Sequence, residues 1–270
     1  MMIFRIVAAV GILIPTLALG APVAVVNPGF EDISGESPVN EFTFGPLAGW
    51  DLYDPGAITA GGAGPTYFIG TLTPFEPDPI GNPGVYANFP AGAAEGQRVG
   101  IAFNFFGSGG GGEYGFEQTL AATLQADTTY TLEVEIGNID SATSMGGQFF
   151  PLEGFPGYRV DLMAGGQILA QDVNGLGGTI PDGEFGTSTV VFATGASHPQ
   201  LGQPLTIRLV NLNVVDPAFP SSDLEVDFDD VRLDATGAPP PPVPFGGWPL
   251  AVALLAAGAW RLRRREPRVA

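Results

Sequence analysis

The stretch EVDFDDVRLDA, Glu225 to Ala235, puts five carboxylates into eleven positions, with apolar side chains at every second or third place. Val226 and Phe228 share one strand parity while Val231 and Leu233 share the other, so the apolar face switches at Asp229 and Asp230, and a β-bulge there is the expected cause. Elsewhere, Glu133 and Glu135 lie two apart in a strand-like run, which would set their carboxylates about 7 Å apart on one face, a spacing suited to general acid and base in an inverting glycosidase. They also occupy the polar face of a half-buried strand, where acids are expected in an acidic domain. His198 sits in GASHPQLGQ with no Gly-x-Ser-x-Gly elbow anywhere in the chain, and reads as a loop residue. GSGGGGEYG (107 to 115) has no lysine and no strand-to-helix context, which excludes a phosphate-cradling loop.

The aromatic residues of the early loops have a different potential. Exposed aromatic faces stack on the C–H faces of sugar rings, with nearby amides and carboxylates holding the hydroxyls. Tyr53, Tyr67 and Tyr86 are the candidates for such ligand binding because a phenol tolerates water, whereas Trp50 and most of the phenylalanines read as packing.

Short alternating segments must position these groups. They recur from residue 98 onward at 98–106, 129–138, 158–164, 167–173, 188–194, 205–213 and 225–233. Tyr130, Leu132, Val134 and Ile136 alternate with Thr131, Glu133 and Glu135, the period-2 pattern of a strand with one buried face. Gly165-Gly166 between two runs predicts a two-residue hairpin. The expected fold is all-β, an antiparallel β-sandwich, with residues 51–95 and 107–117 as long Gly/Pro-rich loops on which function tends to sit.

Within residues 21–242 there are four arginines and 27 acids, with no lysine in the chain, so nucleic acid is excluded as a partner. The absence of cysteine excludes disulfides and thiolate metal sites. Residues 1–20 have the form of a secretory signal peptide, with Arg5, an apolar run and a small-x-small end, which predicts export. Residues 21–236 are the expected domain. Residues 237–247 form a proline-rich spacer, 248–262 an apolar segment expected to span a membrane, and 263–270 an arginine-rich cytoplasmic tail.

That tail resembles the PEP-CTERM type of sorting signal read by bacterial exosortases. Pro242 and Pro244, in PVPFGGW, stand where the motif belongs, and Arg263, Arg264 and Arg265 form the basic cluster; the Pro-Glu-Pro motif itself is missing. A plain single-span anchor is the alternative. VVNPGFED (25 to 32), Gly49-Trp50 and VDFDDVRLDA (226 to 235) together resemble the galactose-binding-like jelly rolls of carbohydrate-binding modules. That resemblance implies that the opening and closing strands meet, and that Glu31 and Asp230, with a carbonyl near Gly29 and with Asp229, hold a structural Ca²⁺. Calcium takes six to eight oxygens and would neutralise acids that otherwise repel each other. The resulting expectation is a non-catalytic exported envelope or matrix protein that binds polysaccharide and is handled by an exosortase-like enzyme. A structural surface protein is the alternative, and a glycoside hydrolase the third reading.

Overall fold

The computed structural model describes residues 20–73, 88–105 and 110–237. The signal-peptide-like segment, Tyr86, Pro242, Pro244, the apolar C-terminal stretch and Arg263 to Arg265 lie outside these residues. The described chain is built from antiparallel strands: β1 (Ala21–Val23), β2 (Phe42–Phe44), β3 (Asp51–Tyr53), β4 (Tyr67–Leu72), β5 (Val99–Asn104), β6 (Tyr114–Thr123), β7 (Thr128–Asn138), β8 (Ala142–Thr143), β9 (Phe149–Phe150), β10 (Tyr158–Ala164), β11 (Gln167–Val173), β12 (Glu184–Ala193), β13 (Pro204–Asn211) and β14 (Leu224–Gly237). Among the described residues there is no α-helix, and none long and apolar enough to cross a membrane.

The larger sheet runs β12-β7-β14-β5-β4-β2, with β1 also paired to β14, and the smaller runs β11-β10-β13-β6-β3. Their facing sides share one core, in which Leu132, Val134, Ile136, Val226 and Phe228 meet Phe116, Val160, Leu162, Ile207 and Leu209. This is the two-layer solution for sheets that are apolar on one face. Gly165-Gly166 forms the β10–β11 hairpin with positive φ at both residues, as the turn type demands.

The opening and closing segments do meet. Val231 N donates to Pro28 O at 3.1 Å, and β1 pairs with β14 at Val23↔Leu233. The Asn27 side chain closes the Pro28–Asp32 turn: Oδ1 accepts from Asp32 N, and Nδ2 donates to Asp32 O and Ala48 O. Trp50 is buried, donates from Nε1 to Asn27 O at 2.9 Å, and stacks on Phe30 with ring centres 5.3 Å apart. In β14 the register shifts between Asp229, opposite Glu135, and Arg232, opposite Glu133, so three steps on β14 match two on β7. Asp230, with φ 44°, is the bulge residue.

A second apolar cluster covers the other side of the larger sheet. Leu72, Val99, Ile101 and Phe103 project outward from β4 and β5, and Phe89, Ile139 and Leu152 pack over them from the loops.

Candidate active site

Alternation in β14 sends Val226 and Phe228 into the sandwich core and therefore sends Glu225, Asp227 and Asp229 to the opposite, outward face. These are all buried, at 4%, 0% and 0% exposure. Glu225 lies opposite Phe103 of β5, and Phe103 opposite Phe68 of β4, so one row across the sheet carries a carboxyl and two aromatic rings. Phe42, Phe44, Phe105 and Phe150 complete an aromatic enclosure around a cavity of about 210 Å³, whose polar lining residues are Glu225, Glu41, Asn88 and Ser144. Phe68 stacks on Phe103 at 4.8 Å, and Phe150 stands edge-on to Phe103 at 5.7 Å. Ring faces of this kind carry the negative part of the aromatic quadrupole, so the cavity favours flat apolar ligands and stabilises positive charge.

Apart from the hydrogen bond that a proton between the two carboxyls allows, Glu225 Oε1 and both Asp227 oxygens have no partner among the described residues. Burial pushes the Glu225 carboxyl up to about 8. Burial, and then the neighbouring Glu225, push Asp227 well above the usual carboxylate range. The pair is therefore held protonated at neutral pH, which makes Glu225 a proton donor inside an apolar enclosure. Next to the pair, Phe89 Cζ, Asp227 Cβ and Phe185 Cε1 converge above Gly137, where a Cβ would come within 2.7, 2.8 and 2.9 Å of them. Phe89 stacks on Phe185 at 4.3 Å, shielding the carboxyls from water.

The other end of this face is acidic. Asp229 Oδ2 accepts from Glu95 N at 2.7 Å and Oδ1 from Asp230 N at 2.7 Å; burial raises Asp229 to about 7, against the lowering effect of these two bonds. Glu31 Oε1 accepts from Gln97 N and Arg98 N at 2.5 and 2.7 Å. At Gly29 an added Cβ would overlap Glu95 Oε2 and come within 3.5 Å of Asp229 Oδ1, so the turn presents bare backbone to two carboxylates. That arrangement can admit a cation bound partly through backbone carbonyls. Among the described residues no group of three or more His, Cys, Asp or Glu side chains could hold a metal by itself. Asp230, the bulge residue, has its Oδ2 3.4 Å from Arg232 Nε.

The remaining candidates are scattered. Tyr53 is on the smaller sheet, donating to Glu113 Oε1 at 2.5 Å with the Arg208 guanidinium 3.9 Å above its ring, so its face is already covered. Tyr67 packs against the sandwich core, edge-on to Tyr114 at 5.8 Å. Neither tyrosine lines the aromatic cavity. Glu133 and Glu135 lie 3.5 and 4.0 Å from Arg232 Nη2, and Glu135 also accepts from Thr187 Oγ1, the pattern of a solvated ion-paired face rather than an acid–base pair. His198 packs its ring on Phe192 at 5.5 Å. The sequence reading missed Glu225 and Glu41. The strand parity of Glu225 was visible, but not the phenylalanines that cover it.

A family model described as HpiC1 cyclase matches residues 21–234. The chain belongs to the HpiC1-like cyclase family. Among solved structures, the Stig cyclase Fisc from Fischerella sp. TAU in complex with (3Z)-3-(1-methyl-2-pyrrolidinylidene)-3H-indole is 36% identical, with 82% of this chain and 100% of that one covered and a TM-score of 0.64. A cyclase from Fischerella sp. TAU in complex with 4-(1H-indol-3-yl)butan-2-one is also 36% identical, over 82% and 100% of the two chains, with a TM-score of 0.63. No curated protein sequence matches.

Membership in this family corrects the reading of a non-catalytic polysaccharide-binding protein: the family is one of enzymes, and two of its solved structures are complexes with small indole ligands. It likewise replaces the resemblance to carbohydrate-binding modules and exosortase substrates, and with it the polysaccharide and sorting-enzyme partners. The physical reason lies in the aromatic residues. A sugar platform needs exposed ring faces, whereas the phenylalanines here close inward around a buried acid.

Proposed function

We propose that this protein is a cyclase that closes a ring on a small indole-type substrate by protonating it. The observation that carries the reading is Glu225, a buried carboxyl raised to about 8 and enclosed by phenylalanines in a cavity of about 210 Å³. Its proton passes to an electron-rich carbon of the bound substrate, leaving a carbocation that the ring faces stabilise. A π bond of the same molecule attacks that cation and forms the new C–C bond. Loss of a proton from the product cation to the Glu225 carboxylate restores the acid, so product and substrate are isomers. The apolar phenylalanine lining disfavours water beside the cation and so protects it from capture.

The test is turnover of an indole bearing a pendant alkene in D₂O. An isomeric product carrying one solvent deuteron on carbon supports the reading, and a cyclised product without deuterium on carbon rejects it.

Ca²⁺ at the Gly29 turn, held by Glu95 and Asp229 together with backbone carbonyls, would tie the opening turn to the closing strand. Its support is the bare backbone at Gly29 facing two carboxylates. With free Ca²⁺ at a hundred times Kd, chelation should lower the melting midpoint by about 5–10 °C. A midpoint indifferent to chelator rejects the ion.

A further inference from the structure

The enclosure that makes Glu225 an acid also keeps substrate from it. Glu225 is 4% exposed, so a ligand reaches its proton only if part of the wall gives way. The walls are held unequally. β14, β5, β4 and β2 are neighbours in one hydrogen-bonded sheet, and displacing any of them breaks a ladder. The β8–β9 hairpin, which brings Ala142, Ser144 and Phe150 to the cavity, forms a two-stranded sheet of its own. A lone pair of strands has little stability without neighbours to pack on.

The hairpin is fixed at its base and latched at its tip. At the base Leu152 is buried and donates from its N–H to Ser141 Oγ at 2.8 Å, while Pro151 O accepts from Asp223 N at 2.7 Å. At the tip Met145 N donates to Glu41 Oε1 at 2.8 Å, and among the described residues this is the one hydrogen bond from 142–150 to the rest of the chain. The backbone bonds of the turn are internal, from Ser144 N to Gln148 O and from Gly147 N to Ser144 O. Phe150 meets Phe42, Phe103 and Phe105 tilted or edge-on, with ring centres 6.0, 5.7 and 6.1 Å away. Such apolar contacts part without leaving a buried polar group unpaired.

We propose that residues 142–150 are a flap that swings about Ser141 and Pro151–Leu152 to admit ligand to the aromatic cavity, and that the Met145–Glu41 hydrogen bond latches it shut. The inference rests on the cyclase reading, whose site it supplies with an entrance. Swinging out carries Ser144 and Phe150 from the wall together and leaves the sheet behind them intact. Closure returns the ring that shields the reacting cation from water.

The chain has no cysteine, so a lock on the flap can be installed as a unique disulfide. Asn40 and Gly146 are exposed, neither lines the cavity, and a Cβ at Gly146 would lie 3.7 Å from Asn40 Nδ2, within the reach of such a bond. Asn40→Cys/Gly146→Cys, with the bond verified by mass, is compared oxidised and reduced in stopped-flow binding of 4-(1H-indol-3-yl)butan-2-one. Oxidation should slow association at least about 100-fold, and dithiothreitol should restore the reduced rate. Equal association rates in the two states overturn the flap. Hydrogen exchange of the wild-type protein without ligand needs no variant: residues 142–150 should exchange at least about 100-fold faster than β7, at denaturant concentrations too low to unfold the domain. Exchange as slow as that of β7 overturns the proposal even if the disulfide does not form. Failure of the reduced protein to bind the probe removes the indole reading instead, and the exchange result then decides the flap by itself.

Discussion

Asp161 on the smaller sheet and Asp227 on the larger are both completely buried, and both sit on the side of their sheet turned away from the shared core. Asp161 accepts from Arg159 Nε at 3.0 Å with each oxygen, and Arg208 Nη1 lies 3.7 Å away. Those arginines also pair with Glu113 and Glu117, and Arg208 covers Tyr53, so the outer face of the smaller sheet is a connected charge network. Asp227 and its neighbour Glu225 have ring carbons, Gly137 and each other around them instead, and among the described residues no arginine pairs with them. The difference teaches where the work is done. A buried acid with its cation is scaffold, because both charges are satisfied and neither has reason to exchange a proton. A buried acid without one keeps its proton to neutral pH and can give it to a substrate.

The comparison can be broken most sharply at Glu225. Glu225→Gln keeps the shape of the side chain and removes the transferable proton, so kcat should fall by about 10²–10⁴-fold with the fold intact by circular dichroism. The same isosteric change made at the two buried aspartates should then give unequal results. Asp161→Asn leaves Arg159 without its buried partner and should destabilise by about 3 kcal/mol in urea unfolding. Asp227→Asn replaces a carboxyl that is held protonated and pairs with no arginine, and should be neutral or stabilising by up to about 1 kcal/mol at pH 8. Equal losses at both positions would erase the distinction between scaffold and site. A smaller and graded effect is expected from pH. Because burial holds Glu225 protonated up to about 8, activity should be retained through neutral pH and then decline above about 8, whereas an exposed glutamate would lose its proton near 4.5. The sign follows from the acid being the active form. A pH–rate profile with its falling limb near 4.5 would place the proton donor elsewhere.

Much of the fold was legible in the residues. Leu132, Val134 and Ile136 announced a half-buried strand, Gly165-Gly166 announced its hairpin, and the parity switch at Asp229-Asp230 announced a bulge that the register of β14 against β7 contains. The candidate site was not legible in the same way. The alternation that sends Val226 and Phe228 inward also sends Glu225 outward, and an outward acid in so acidic a chain is ordinarily solvated. Its cover comes from Phe42 and Phe44, from Phe68, and from the hairpin carrying Phe150, segments separated by up to about 180 residues from Glu225. The tyrosines looked like the better ligand contacts because a phenol tolerates water, but the cavity is lined by phenylalanines and neither Tyr53 nor Tyr67 lines it.

By itself the sequence determined the periodicities, and through them the strands, the turns and the face of the sheet on which each side chain stands, because these follow from local backbone geometry. Only the tertiary structure decided that the outward face of β14 would be roofed, since burial depends on which distant loops fold over it. That roofing is what turns Glu225 from a surface charge into an acid with a proton to give.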